Sequence, residues 1–325
     1  MKKTITILAA LFIAVAANAK ILRVSNVVGS SAPYSSISDA LKAATDGDTI
    51  MVDGSNNGYG SLVRRDLTEV AKKVVIIGPG YWLTENGRTD IGATSAIIDD
   101  IDICADGVEI YGMVINGKLT IASNKVVVNR CRIIWGIGIE KKLEDIIIHQ
   151  NVIRNGIKGD LYDNSNGLFP PVVTISNVQI TNNIFMGDSS GSGSNGTVMC
   201  FTKSLIANNT WAEWAPPCLS QIYDSTVKDN IMCLNTWDNR CDGTAFSNNA
   251  EIDYNQINLL SLKTDVDVLN IDILQPYSSI GAFAGTDPYV ISGIPAGPII
   301  TDLEMPTTVE MGSKLNVTIK VDISR

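Results

Sequence analysis

The chain has 325 residues, a formal net charge of −9, 45% hydrophobic residues and only 6% aromatic ones. An excess of acidic residues repels phosphate backbones, so nucleic acid is excluded as the expected partner. Beyond the N-terminal leader no run is apolar for long enough to span a bilayer, and the length suits one elongated domain or two ordinary ones.

The first nineteen residues, MKKTITILAALFIAVAANA, form that leader. Lys2 and Lys3 are its charged head, Ile5 to Ala16 its apolar stretch, and Ala17-Asn18-Ala19 a small-residue cleavage site. This is the pattern of a secretory signal peptide cut after Ala19, leaving an exported mature chain from Lys20 in the periplasm, at the cell surface or outside. Cleavage removes two basic residues and makes the protein more acidic. Next, SSISDALKAATDGDTIMVDG (35–54) reads as a short amphipathic helix. Ser36 or Ser38 is its N-cap and Ile37, Leu41 and Ala44 share a face. Asp46-Gly47 ends it, and Asp48 to Val52 is the expected first strand.

The acidic run IIDDIDICADG (97–107) follows. In a strand Asp100 and Asp102 share one face while Asp99 points away. They are the candidates for a calcium ion, which takes oxygen ligands; the preferred reading is polar residues on an outer strand face, with no cofactor.

From there the chain repeats itself. VVVNRCRIIWGI (126–137), IIIHQNVIRNGI (146–157), VQITNNIFMG (178–187), SLIANNTWAEW (204–214), STVKDNIMCLN (225–235) and AEIDYNQI (250–257) share one template. Alternating apolar residues lead to two polar ones, usually an asparagine, any residue, then a large apolar one. The aligned positions are Cys131, Asn151, Asn183, Asn209, Asn230 and Asn255, with steps of 20 to 32 residues, and Gly112 fits one step earlier. A period near twenty built of β-branched segments predicts an all-β, parallel β-helix solenoid whose coils stack about 4.8 Å apart. The asparagine suits a sharp bend, where it tolerates left-handed backbone, and its amide can bond to the coils on either side. The competing fold is a β-sandwich, which gives no reason for a polar position to recur at coil length.

Two excursions interrupt the coils, NGIKGDLYDNSNGLFPP (155–171) and SSGSGSNG (189–196), the latter lacking the lysine of a phosphate loop. The aromatic stretches NTWAEWAPPCLSQIYD (209–224) and NTWDNRCDG (235–243) carry three of the five tryptophans. Trp211 falls at a core position. Trp214 and Trp237, with Tyr223, Glu213, Asp238 and Arg240, are the candidate glycan-binding residues, since aromatic rings beside polar groups suit a sugar. The cysteines Cys104, Cys131, Cys200, Cys218, Cys233 and Cys241 show no metal-ligand spacing; the first three read as buried thiols, and Cys218 with Cys241 is left open as a pair. The single histidine, His149, takes a place shared with Asn129, Thr181, Ala207, Lys228 and Asp253, which reads as a solvated bend.

The helix running into DGDTIMVDG resembles the opening of the pectate-lyase-like right-handed β-helix superfamily. GPGYWLTEN (78–86) and DPYVISGIPAGP (287–298), with ILRVSNVVGSS and the closing segment, resemble a large family of secreted right-handed β-helix proteins from gut bacteria. The resemblance implies a β-helix over residues 20–298 with an N-terminal cap. It also implies final strands between Ile299 and Val321, within 299–325, over the distal end. It implies no activity. β-Helices host polysaccharide lyases and hydrolases, but function belongs to sites rather than folds. The His-Gly motif of a polygalacturonase is not matched, as Gln150 follows His149. Three functions therefore stand: non-catalytic binding of a glycan or surface partner, a polysaccharide lyase or glycoside hydrolase with a non-standard site, and an assembly protein. The first is preferred.

Overall fold

The computed structural model describes residues 19–87, 94–160, 173–186, 198–212, 218–233, 240–252, 277–304 and 317–324, with residues 267 and 314. The chain is a parallel β-helix: a 16-stranded and an 8-stranded sheet, each built of parallel neighbours, wrap one continuous core. Its coils present three faces. The first runs from Ile21–Val24 and Thr49–Val52 through Glu109–Tyr111, Val127–Asn129, Glu144–His149, Ser176–Thr181, Leu205–Ala207 and Thr226–Lys228 to Ala245–Ser247. The second is the 8-stranded sheet, from Ile97–Ile98 through Arg132–Ile133 and Val152–Arg154 to Ala250–Ile252. The third stacks Ile101–Ile103, Leu119–Ile121, Ile137–Ile139, Ile157–Gly159, Val198–Thr202 and Leu219–Tyr223.

Alternation explains the core. Ile110, Val128, Ile148, Ile180, Ile206 and Val227 are in register on the first face and all buried. β-Branched side chains suit such a pleated, tightly stacked interior. Trp211 takes the expected core place and stacks on Phe185, rings 4.5 Å apart.

The N-terminal cap matches the sequence in its helix, Ile37–Ala43, where Ser36 Oγ accepts from Asp39 N. Ile37, Ala40 and Leu41 turn onto the end of the core. Lys72 Nζ closes the other end by donating to the carbonyls of Leu41, Lys42 and Ala44. Thr49–Val52 is not the first strand, however: Ile21–Val24 precedes the helix and pairs with it. Asp48 lies outside that strand and accepts from Lys20 N at 2.7 Å and Thr45 N at 2.8 Å.

The amide ladder is present. Asn151, Asn183, Asn209 and Asn230 are completely buried. Each Oδ1 accepts the backbone N–H of the preceding member: Cys131 to Asn151, Asn151 to Asn183, Asn183 to Asn209, and Asn209 to Asn230, at 2.8–3.0 Å. Each Nδ2 donates to the next Oδ1 and to a carbonyl of the coil before, as Asn183 does to Asn209 Oδ1 and Ile148 O. From Asn183 to Asn230 each buried amide oxygen accepts two bonds and each amide nitrogen donates at least two.

One member of the expected series is corrected, and one lies outside the described residues. After Asn230 the ladder continues to Asn249, which accepts Asn230 N at 3.0 Å; Asn255 lies outside the described residues. The template favoured Asn255 because Ile257 follows it, whereas Glu251 occupies the inward place after Asn249 and is exposed in this last described coil. At the other end Val114 pairs with Arg132, which puts Met113, not Gly112, beside Cys131. The bend itself also belongs to another residue. The position before each ladder member is left-handed: Gly112, Arg130, Gln150, Asn182, Asn208, Asp229 and Asn248 have φ between 50° and 60°.

These bend residues reach outward to a strap formed by residues 277–295. Asn182 Nδ2 donates to Ala282 O and Ala284 O, Gln150 Nε2 to Asp287 Oδ1 and Pro288 O, and Arg130 Nη1 to Ile294 O. Asp229 O accepts from Gly281 N. The strap thus runs back along one corner towards the earlier coils. It lays Ile280, Ala282 and Tyr289 over Val152, Ile184 and Ile231, a second apolar cluster outside the solenoid. A Cβ on Gly112 would stand 2.6 Å from Pro295 Cγ, so glycine is required there.

Gly297–Glu304 and Thr318–Ser324 pair with each other, antiparallel, in a sheet of their own. Among the described residues no helix is long and apolar enough to cross a membrane.

Candidate functional site

Of the six glycan-binding candidates, Glu213, Trp214, Trp237 and Asp238 lie outside the described residues. The structure brings the other two together. Tyr223 ends a third-face strand, where burial pushes its phenol pKa up and nearby Arg240, itself exposed, opposes the shift.

Further back on the third face lies an open cleft of about 390 Å³, lined by Val63, Arg64, Arg65, Asp100, Asp102, Lys118 and Thr120. Sequence builds it in three layers. Ile101, Ile103, Leu119 and Ile121 point into the core, so Asp102 and Thr120 point out, side by side in register. A loop then crosses the edge of this face, held by bridges from Leu62 to Ile101 and Val70 to Ile103. Its short 3-10 turn, Arg64–Asp66, brings two guanidinium groups over the carboxylates.

Those carboxylates are already engaged. Asp102 Oδ2 accepts Arg64 N at 2.9 Å and stands 3.5 Å from Arg64 Nε. Arg64 Nη2 reaches Glu140 Oε1 at 2.6 Å, and Glu140 is the main reason its pKa lies above the ordinary value. Asp100 Oδ1 accepts Lys118 N at 2.8 Å. Asp100 and Asp102 do share the outer face as the sequence implies, but their oxygens serve arginine and backbone donors. Among the described residues no group of three or more His, Cys, Asp or Glu could hold a metal ion.

Lys118 lies along Gly138 of the next coil, its Nζ 2.9 Å from where a Cβ would stand. A side chain at 138 would displace it. Trp135, 65% exposed, stands at the adjoining corner, its backbone N–H bonded to Gly117 O. The cleft joins cations and hydrogen-bonding oxygens, and the exposed Trp135 stands at a corner beside it, outside its lining. No protein-family model matches the chain, and a search of curated proteins finds no match. Its chemistry has to be argued from these residues.

Sequence reasoning missed Arg64, Arg65, Lys118 and Trp135. Trp135 had a signal: in RIIWGIGI it falls at the turn after a short strand, where no core position exists for it. The arginines had none, since only the loop crossing brings them to the third face.

His149 differs from expectation as well. Its side chain is only 13% exposed, with Nδ1 2.7 Å from Thr181 Oγ1 and Nε2 2.9 Å from Asp287 Oδ2. Its register series ends at Ser247 rather than Asp253, which lies outside the described residues. Both ring nitrogens face oxygen, Nε2 the Asp287 carboxylate and Nδ1 the Thr181 hydroxyl and, at 3.1 Å, the Thr181 carbonyl. Burial pushes its pKa below the ordinary value, against the pull of Asp287. Cys131 and Cys200 are buried as expected, Cys104 and Cys241 are half-buried, and Cys218 is buried.

Proposed function

We propose that this is an exported, non-catalytic β-helix protein that binds a polysaccharide along its third face. The observation that carries the reading is the cleft beside Trp135. Its volume is within the range of small-ligand sites. An exposed indole offers the apolar face that a pyranose ring stacks on, and Arg65, Lys118 and Thr120 offer donors to its hydroxyls or carboxylates. Asp100, Asp102 and Glu140 are tied to arginine or backbone donors, which favours holding a ligand over moving protons. Export rests on the leader and its Ala-Asn-Ala cleavage site.

The test is a glycan array followed by calorimetry with residues 20–325. Trp135→Ala and Lys118→Ala should each lower affinity for the bound glycan about tenfold, roughly the effect of one stacking or charge-assisted contact, without changing the far-UV spectrum. Binding to no polysaccharide would end the proposal. Release of new reducing ends or unsaturated uronic products would replace it with the lyase or hydrolase reading.

A further inference from the structure

On the second face, away from the cleft, two guanidinium groups stand on neighbouring coils. Arg132 pairs in register with Val152, and Arg154 ends that same next strand. Among the described residues neither forms an ion pair with a carboxylate. The acidic side chain felt at Arg132 is the exposed Glu85, with Tyr81 and Tyr289 close by. Burial pushes the Arg132 guanidinium below its ordinary pKa, and the charge of Arg154 pushes it the same way.

Arg132 is nevertheless held firmly. Its Cζ lies 4.9 Å from the centre of the Trp82 ring. Trp82 takes that position with φ at 49°, a conformation that costs a bulky side chain strain. Arg132 Nε is buried and has no hydrogen-bond partner. A desolvated cation, a like charge on the neighbouring coil and an orphaned donor are each unfavourable, and together they call for an anion.

We propose that Arg132 and Arg154 form an oxyanion site that takes a sulfate or phosphate group. A guanidinium stacked on an indole keeps its in-plane N–H fork free, and that fork matches two oxygens of an oxyanion. The second guanidinium starts from the next coil, about 4.8 Å further along the axis, and two residues past Val152, the partner of Arg132, so its long side chain reaches back to supply donors for the oxygens left over. A tetrahedral group can use both forks, whereas one fork saturates a carboxylate. The site is distinct from the third-face cleft and stands whether or not that cleft binds a glycan.

The test titrates residues 20–325 with inorganic sulfate, inorganic phosphate, a sulfated monosaccharide and acetate, following arginine Nε–H resonances by NMR and heats by calorimetry. Sulfate or phosphate should bind saturably at millimolar concentrations or below and shift the Arg132 Nε–H signal, identified by its loss in Arg132→Gln. Arg154→Gln should lower the affinity about tenfold or more, and Lys228→Ala on the first face should leave it unchanged. Tighter binding of the sulfated sugar than of inorganic sulfate would support a sugar-borne group, and equal binding a free ion. Absence of saturable binding, equal response to acetate, or an unchanged affinity in Arg154→Gln would overturn the proposal. Should Arg132→Gln fail to fold, Arg154→Gln and Trp82→Phe carry the same test, the latter expected to weaken binding less.

Discussion

Asn183→Ala tests the ladder where it is most completely bonded. The amide of Asn183 accepts Asn151 N at 2.9 Å and Asn151 Nδ2 at 3.0 Å, and donates to Ile148 O and Asn209 Oδ1. Truncation leaves the Asn151 backbone N–H with no partner in a site closed to water. The other losses are partial, because Asn151 Nδ2 keeps Val128 O and Asn209 Oδ1 keeps Asn183 N. One orphaned donor costs about 1–3 kcal/mol; the weakened neighbours and the small cavity bring the expected loss to about 2–5 kcal/mol. Denaturant unfolding followed by far-UV circular dichroism measures it, with hydrogen exchange at Asn151 as the local readout. Asn183→Asp separates chemistry from shape. It keeps volume and acceptor, but turns an oxygen towards Asn209 Oδ1 and buries a charge, so it should destabilise at least as much. A loss below about 1 kcal/mol for alanine, or a harmless aspartate, would refute the view that reciprocal amide bonding holds the coils in register.

The ladder should also be extensible. Cys131 Sγ faces Ile110 O at 3.7 Å and Asn129 O at 3.3 Å, the same kinds of acceptor that later ladder amides use, so Cys131→Asn should stabilise by about 1 kcal/mol in denaturant unfolding. Asp48 is nearly fully buried, and backbone donors at Lys20 and Thr45 hold its pKa below the ordinary value of 3.8. Its contribution is therefore present above that value and lost as pH falls through the folded pKa. Cleavage after Ala19 turns the Lys20 donor into an α-ammonium, so Asp48→Asn should destabilise the processed chain more than the precursor in paired thermal melts. His149 works in the same sense in a higher pH window: its folded pKa lies below 6.5, so stability is complete above that value and declines as pH drops through it, until the folded ring also protonates. His149→Gln should flatten that part of a stability–pH curve; an unchanged slope would show that burial and the charge of Arg130 do not hold the ring neutral against Asp287.

The fold was legible because the interior imposes it on sequence. Inward positions repeat, and a buried amide is tolerated only in a stack of its own kind, so Asn151, Asn183, Asn209 and Asn230 stand out. Legibility fails where burial fails. Glu251 stands at an inward place in the last described coil and hides the claim of Asn249. The left-handed bend was less visible because arginine, glutamine, asparagine, aspartate and glycine all occupy it; Arg130, Gln150 and Asn182 hold the strap through their side chains and Asp229 through its carbonyl, a contact more than one hundred positions away in sequence for Asn182. The cleft was unreadable for the same reason, since Arg64 meets Glu140 across 76 positions.

The strap decides which surfaces remain for a partner. It lies on the second face, so the apolar row Val152, Ile184 and Ile231 is spent on the protein itself. Its anchorage explains why GPGYWLTEN and DPYVISGIPAGP stand out together in the sequence: Tyr81 N donates to Ser292 O at 2.9 Å, the Tyr81 and Tyr289 hydroxyls share a hydrogen bond, and Asn86 Nδ2 donates to Ser292 Oγ at 2.8 Å. Two stretches some two hundred residues apart are the halves of one fastener. Their distinctiveness is accounted for by packing, with glycines where backbones nearly touch and tyrosines where two hydroxyls satisfy each other. Apart from Trp82 beneath Arg132 they are spent on closing the molecule, and a glycan-binding surface has to be sought where residues are not needed for that. Trp135 meets that criterion, because an indole left 65% exposed at a corner does nothing for the core.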